Sequence, residues 1–158
     1  MDVAETKTPV QPAGRSHRSL TVQEGRGVVR IFLVEDNAMM RAHLRAALER
    51  PKDWTVVGEA EDGRRALEKW NEHAPHVTVM DFLMPGMDGL EAGRSLSKQH
   101  PESPVLMVTI DPSRQLEEEA KSAGIKGLCQ KADVRSVLKA VEALLKGGTY
   151  FHRDLAAA

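Results

Sequence analysis

Asp81 closes the apolar run Val77, Thr78, Val79, Met80 and opens the stretch Phe82, Leu83, Met84, Pro85, Gly86, Met87, Asp88, Gly89. A carboxylate at the end of a buried strand, ahead of a Pro/Gly turn, stands where open α/β sheets bind ligands. The acidic pair Glu35 and Asp36 ends an earlier apolar run, Thr109 ends a later one and Lys131 a fourth. If Glu35, Asp36 and Asp81 lie within about 5 Å of one another, each like-charge pair costs roughly 3–4 kcal/mol at an effective dielectric of about 20. Such a cluster either holds a proton or recruits a cation. Only oxygen donors are on offer, which selects a hard ion, and partly hydrated octahedral Mg²⁺ fits best. Beside a metal, Asp81 becomes a nucleophile toward phosphorus and would form an acyl phosphate. Lys131 would then place a point charge on one phosphoryl oxygen and Thr109 a hydroxyl on another. Taken singly, the acidic residues read as helix caps, Thr109 as a β-former and Lys131 as a solvated charge; their coincidence at four strand ends favours a site.

The elements that must position these groups alternate along the chain. Residues 1–27 mix Pro, Gly, Ser, Thr and charge with no period, and are expected to form a flexible N-terminal tail. Apolar runs at 28–34, 55–60, 77–80, 105–108 and 125–130 read as strands, the second near an edge because it contains Gly58. Between them lie helical stripes: Met40, Leu44, Ala47 and Leu48 behind Asn37, and segments 63–73 behind Asp62 and 89–99 behind Asp88. A fourth helix is expected behind Asp111 with Pro112 at its first position. The last carries Val134, Val137, Leu138, Val141, Leu144 and Leu145, with Asp133 as cap and Gly147–Gly148 as stop. Five βα units give a doubly wound α/β domain over 28–147, a five-stranded parallel sheet in the order 2-1-3-4-5 within a three-layer sandwich. Residues 148–158 are expected to begin a C-terminal linker. The fourth helix has few apolar residues and the run Glu117, Glu118, Glu119, so it is expected to be weakly anchored and mobile.

Composition bounds the function. A chain of 158 residues, 41% hydrophobic and 28% charged, suits one globular domain. Its formal charge of −1 gives no footprint for non-specific nucleic-acid binding and no call for a membrane surface. Cys129 is the only cysteine, so no internal disulfide forms, and it reads as a buried hydrophobe. No apolar run approaches a membrane span, and the N-terminus lacks signal-peptide order, so a cytoplasmic location is expected. The six histidines show no metal spacing and read as surface residues; Trp54 and Trp70 are expected to cover sheet edges, and Lys121 and Lys126 to be solvated.

The segments IFLVEDN, VTVMDFLMPGMDG, LMVTI and GIKGLCQKAD, in this order, resemble the receiver domain of two-component response regulators. The likeness covers roughly residues 28–147. The ending ADVRSVLKAVEALLKGGTYFHRDLA is most similar to the NarL/FixJ group, where a linker leads to a LuxR-type helix-turn-helix. The resemblance implies a flavodoxin-like fold and a phosphoryl group received on Asp81 from a phosphohistidine of a sensor histidine kinase. It implies Mg²⁺ held by Asp36, Asp81 and the backbone carbonyl of Leu83, with Glu35 acting mainly through water. Lys131 would contact the phosphoryl group and Thr109 would be the switch hydroxyl. A homodimer is expected, and DNA contact only through an output domain outside this chain.

Three positions depart from the family pattern. Ile110 follows the switch Thr where a small residue is usual, and its bulk is expected to slow dephosphorylation. Leu128 stands where a Tyr or Phe usually couples site to output. Ala132 replaces a common Pro, and a trans Lys131–Ala132 bond is expected. These departures admit a second reading, a pseudo-receiver that works without phosphate. A third is a Mg²⁺-dependent phosphohydrolase using Asp81; such enzymes often carry an acid two residues on, where this chain has Leu83.

Overall fold

A strand flanked by parallel neighbours is covered on both faces, so its side chains must be apolar in both directions. Five segments of this chain meet that demand. The computed structural model describes residues 27–151. The expected N-terminal tail therefore lies almost wholly outside the described residues.

The strands are β1 (Val29–Val34), β2 (Trp54–Ala60), β3 (Val77–Asp81), β4 (Val105–Thr109) and β5 (Gly127–Gln130). All pair in parallel, in the order β2-β1-β3-β4-β5. The helices are α1 (Ala38–Leu48), α2 (Gly63–His73), α3 (Gly89–Gln99), α4 (Arg114–Ser122) and α5 (Val134–Leu145). Period-two alternation divides the core between the two faces of the sheet. Ile31, Leu33, Val79, Leu106, Val108 and Cys129 pack with Leu44 and Leu48 of α1 and Val137, Val141 and Leu144 of α5. Phe32, Val34, Met80, Met107 and Leu128 meet Trp70 of α2, Leu96 of α3, and Leu116 and Ala120 of α4.

Four helix caps are the expected ones: Asn37, Asp62, Asp88 and Asp133 each accept the backbone N–H three residues on. The fourth helix differs. Ser113, not Asp111, caps α4, its hydroxyl accepting the Leu116 N–H at 3.1 Å. Asp111 donates its own N–H to Thr109 Oγ1; with Ser113 as cap the helix starts two residues later and Pro112 stays in the connection. Glu117 is buried with Leu116 and Ala120, leaving only Glu118 and Glu119 of the acidic run exposed.

The edges also hold surprises. β1 and β2 slip by one residue between Ile31 and Phe32, so that Gly58 pairs with Phe32. A Cβ at Gly58 would come within 2.5 Å of the His73 ring, which itself stacks on Phe32. Trp70 is a core residue, not an edge cover; its Nε1–H donates to Thr78 Oγ1 and its ring stacks on His100 at 3.6 Å. His76 Nδ1 accepts the Arg30 N–H. Three of the histidines are thus half-buried structural parts rather than surface residues. At the other edge, Tyr150 bridges Gly127 in parallel, its carbonyl accepting the Leu128 N–H at 2.9 Å and its N–H donating to Lys126 at 2.9 Å. Phe151 packs against the core beneath the Lys121 ammonium, 4.9 Å from its ring centre. Of residues 148–158, read from sequence as the start of a linker, Tyr150 bridges the β5 edge, and 152–158 lie outside the described residues. The Lys131–Ala132 bond is trans, as expected.

Candidate functional site

β1 and β3 lie side by side, yet the chain leaves β1 toward β2 and leaves β3 toward β4, so their carboxyl ends flank the switch point of the sheet. Glu35 follows β1 and stays in register, its N–H donating to Ala60 at 3.0 Å. Its carbonyl accepts from Arg41 Nη1 at 2.7 Å and its Oε2 from the Asn37 N–H at 3.1 Å. Asn37 caps α1, so the three consecutive residues 35–37 supply a buried acid, an exposed acid and a helix start.

Asp81 is the last residue of β3 and is buried; Gly89 N–H donates to the Phe82 carbonyl beside it at 2.8 Å. A Cβ on Gly89 would stand 2.2 Å from the Asp81 carbonyl oxygen and 2.8 Å from Phe82 Cα. Only glycine lets α3 begin this close to the strand end. Lys131 follows β5, and its N–H donates to the Thr109 carbonyl at 2.8 Å, carrying the ladder one step further. The lysine is buried, and Nζ reaches Glu35 Oε1 at 3.0 Å and Asp81 Oδ2 at 3.1 Å. With Asp36, the two buried acids offer oxygens that all lie within 4.8 Å of one another.

Electrostatics follow from this packing. Burial pushes the Glu35 carboxyl up, opposed by its hydrogen bonds from Lys131 and the Asn37 N–H. Burial likewise pushes Asp81 up against the pull of Lys131, and the Asp36 charge adds to the rise. For Lys131 burial works against the charged form, but the hydrogen bonds to Glu35 and Asp81 overcome it and its pKa is raised. Three carboxylates thus face one ammonium. The donor set is all oxygen and retains negative charge after Lys131 is counted, which fits a hard divalent cation such as Mg²⁺.

The remaining candidates separate by location. Thr109 is buried at the end of β4; Oγ1 accepts the Asp111 N–H at 3.4 Å, a long bond, and no hydrogen bond joins it to Asp81 among the described residues. Leu83 lies in the turn between β3 and α3 with its side chain 60% exposed. Ile110 is 61% exposed, whereas Leu128 is wholly buried. One departure from the family pattern therefore lies on the rim and the other in the core.

Sequence reasoning missed Arg41 and Gln130. Arg41 holds the Glu35 carbonyl and also pairs with Glu59 at 3.1 Å; its place one turn into α1 was the available signal. Gln130 Nε2 donates to the Ile110 carbonyl at 2.9 Å while Oε1 accepts the Ala132 N–H at 3.1 Å. A polar residue ending an apolar strand gave no hint of a partner 20 residues away.

Residues 31–142 match the response regulator receiver domain family. The chain is 32% identical to the response regulator UvrY of Escherichia coli K12 over 130 residues, 82% of this chain and 60% of the relative. It thus spans about three fifths of that relative's length. Among solved structures, a LuxR-family two-component response regulator from Aurantimonas sp. SI85-9A1 superposes with a TM-score of 0.77 at 31% identity, covering 82% of this chain and 94% of that one. The signal receiver domain of the NarL response regulator from Mycobacterium tuberculosis gives 0.72 at 30% identity, with 77% and 98% covered.

Proposed function

The chain belongs to the response regulator receiver family, the phosphoacceptor signalling modules of two-component systems, and from that premise we propose that Asp81 is its phosphoacceptor. The observation that carries this reading is the Lys131 ammonium bonded to both Glu35 and Asp81, with Asp36 completing the acidic cluster. An Asp81 carboxylate oxygen attacks the phosphorus of a phosphoimidazole on a sensor histidine kinase. The P–O bond forms as the P–N bond breaks, and the imidazole takes up a proton. Lys131, already 3.1 Å from Asp81 Oδ2, transfers one of its hydrogen bonds to a phosphoryl oxygen. Thr109, whose hydroxyl among the described residues is held by the long bond from the Asp111 N–H alone, donates to another. Mg²⁺, held through Asp36, Asp81 and the Leu83 carbonyl with Glu35 acting through water, would offset the repulsion between carboxylate and phosphoryl oxygens.

Leu83, two residues after Asp81, is apolar and offers no acid or base to hydrolyse the acyl phosphate. That supports a persistent modification over turnover, and so a switch rather than a phosphohydrolase. By likeness to UvrY and the LuxR-family regulator, the signal would pass to transcription through an output domain, with phosphorylated copies pairing as a homodimer in the cytoplasm.

The test is incubation with Mg²⁺ and acetyl phosphate, followed by intact mass. We expect one phosphoryl adduct, absent in Asp81→Asn. A protein that never gains the adduct is a pseudo-receiver, and steady release of inorganic phosphate marks a hydrolase.

A further inference from the structure

We infer that Gln130 is a positioning residue for this site, a latch whose carboxamide ties the turn after Thr109 to the turn after Lys131 and so sets how readily occupancy of Asp81 moves the Thr109 segment. The inference rests on the phosphoacceptor reading above. Gln130 pairs with Thr109 across the β4–β5 ladder and immediately precedes Lys131. Its Nε2–H donates to the carbonyl of Ile110, the residue after Thr109, at 2.9 Å, and its Oε1 accepts the N–H of Ala132, the residue after Lys131, at 3.1 Å. Donor and acceptor ends are both engaged, so the amide is fixed from two directions. One side chain thus spans the peptide units adjoining the two groups proposed to touch the phosphoryl oxygens.

Little else holds the Ile110 turn. The Ile110 side chain is 61% exposed and gives no core anchor. Among the described residues, the bond from Gln130 is the one hydrogen bond to Ile110. Among the described residues, the Thr109 hydroxyl has one hydrogen bond, the long 3.4 Å contact from the Asp111 N–H. In this inference Thr109 reaches a phosphoryl oxygen through a shift of the adjoining Ile110 peptide relative to β5, and that shift breaks the Gln130–Ile110 bond. Because the bond is present in one state and absent in the other, it biases the equilibrium against the switched state. A neutral hydrogen bond of ordinary net strength corresponds to a factor of roughly 2- to 10-fold.

A Gln that merely staples two loops would change stability alone. The discriminating experiment titrates beryllofluoride, which occupies the phosphoryl position, and separately Mg²⁺, into the full chain and its Gln130→Met variant. The latch predicts beryllofluoride binding tightened roughly 2- to 10-fold with Mg²⁺ affinity unchanged. Binding that is unchanged or weaker overturns the latch while leaving the phosphoacceptor reading intact. A wild-type chain that takes neither beryllofluoride nor a phosphoryl adduct overturns both. Should the variant fail to fold, the unaltered protein still decides: the Gln130 side-chain amide is expected to exchange more slowly without beryllofluoride than with it, and equal exchange in both states sinks the idea.

Discussion

Lys131 and Glu35, 96 residues apart in sequence, form a 3.0 Å ion pair shut away from solvent. The lysine is proposed to serve the phosphoryl group, yet it already serves the fold, because Glu35 is wholly buried and, among the described residues, Lys131 is the one cation paired with its carboxylate. The same ammonium neutralises Asp81. Site chemistry and local stability therefore share one side chain, and this makes the site testable by denaturation as well as by labelling.

Lys131→Met leaves two buried carboxylates with no cation, and breaking such a pair costs about 3–5 kcal/mol. Burial already holds Glu35 and Asp81 above their unfolded values, and losing the lysine raises both further. A carboxyl with a raised folded pKa binds more protons folded than unfolded, so the variant's stability falls as pH rises. Urea denaturation in chelator should show its deficit largest at pH 7 and smaller at pH 5, with Mg²⁺ restoring part of it. A deficit that grows on acidification contradicts this account of the cluster.

Gly89→Ala places a methyl 2.2 Å from the Asp81 carbonyl, a contact with backbone that no rotamer change relieves. Either α3 retreats or the end of β3 tilts. We expect a loss of about 1–3 kcal/mol, typical of overpacking, together with weaker Mg²⁺ binding, since Asp81 carries the shift. Calorimetric Mg²⁺ titration checks the second half; an affinity equal to that of the wild type would mean the strand end does not depend on this close approach.

Much of this was legible in the sequence. Buried strands advertise themselves as unbroken apolar runs, and caps such as Asn37, Asp62, Asp88 and Asp133 act within three residues, so local order sufficed. Asp111 is an ambiguous signal because Ser113, two residues on, is an equally good cap, and it is Ser113 that accepts the Leu116 N–H. His73, His76 and His100 were misread because stacking and long-range acceptance leave no periodic trace. The aromatic pair Tyr150 and Phe151 after the Gly147–Gly148 stop was a signal that the chain rejoins the domain, but the β5 edge it pairs with exists only once five strands are assembled.

His100 supplies a pH prediction remote from the acidic cluster. Stacked on Trp70, it has its pKa lowered by burial, with only Glu102 opposing. The unfolded chain therefore binds this proton more readily. Its contribution is complete above the unfolded value near 6.5 and is lost as pH falls through that value toward the lower folded one. Replacing the ring by Phe should flatten the dependence of the urea midpoint between pH 7.5 and 5.5. An equally steep decline in His100→Phe would assign it to other groups.

Leu128 bears on how a signal could leave the site. Its side chain is wholly buried among Leu116, Ala120 and Ile125, and its N–H holds the Tyr150 carbonyl at 2.9 Å. An aromatic ring here would have to displace packed neighbours, and a phenol would also need a polar partner. Leu128→Tyr is expected to cost about 1–3 kcal/mol and to loosen the Tyr150 bridge, seen as faster exchange of the Tyr150 amide, whose partner is the Lys126 carbonyl. A Tyr variant as stable as the wild type would reveal room for a ring to swing. Without that room, movement of β5 reaches Tyr150 through the backbone ladder.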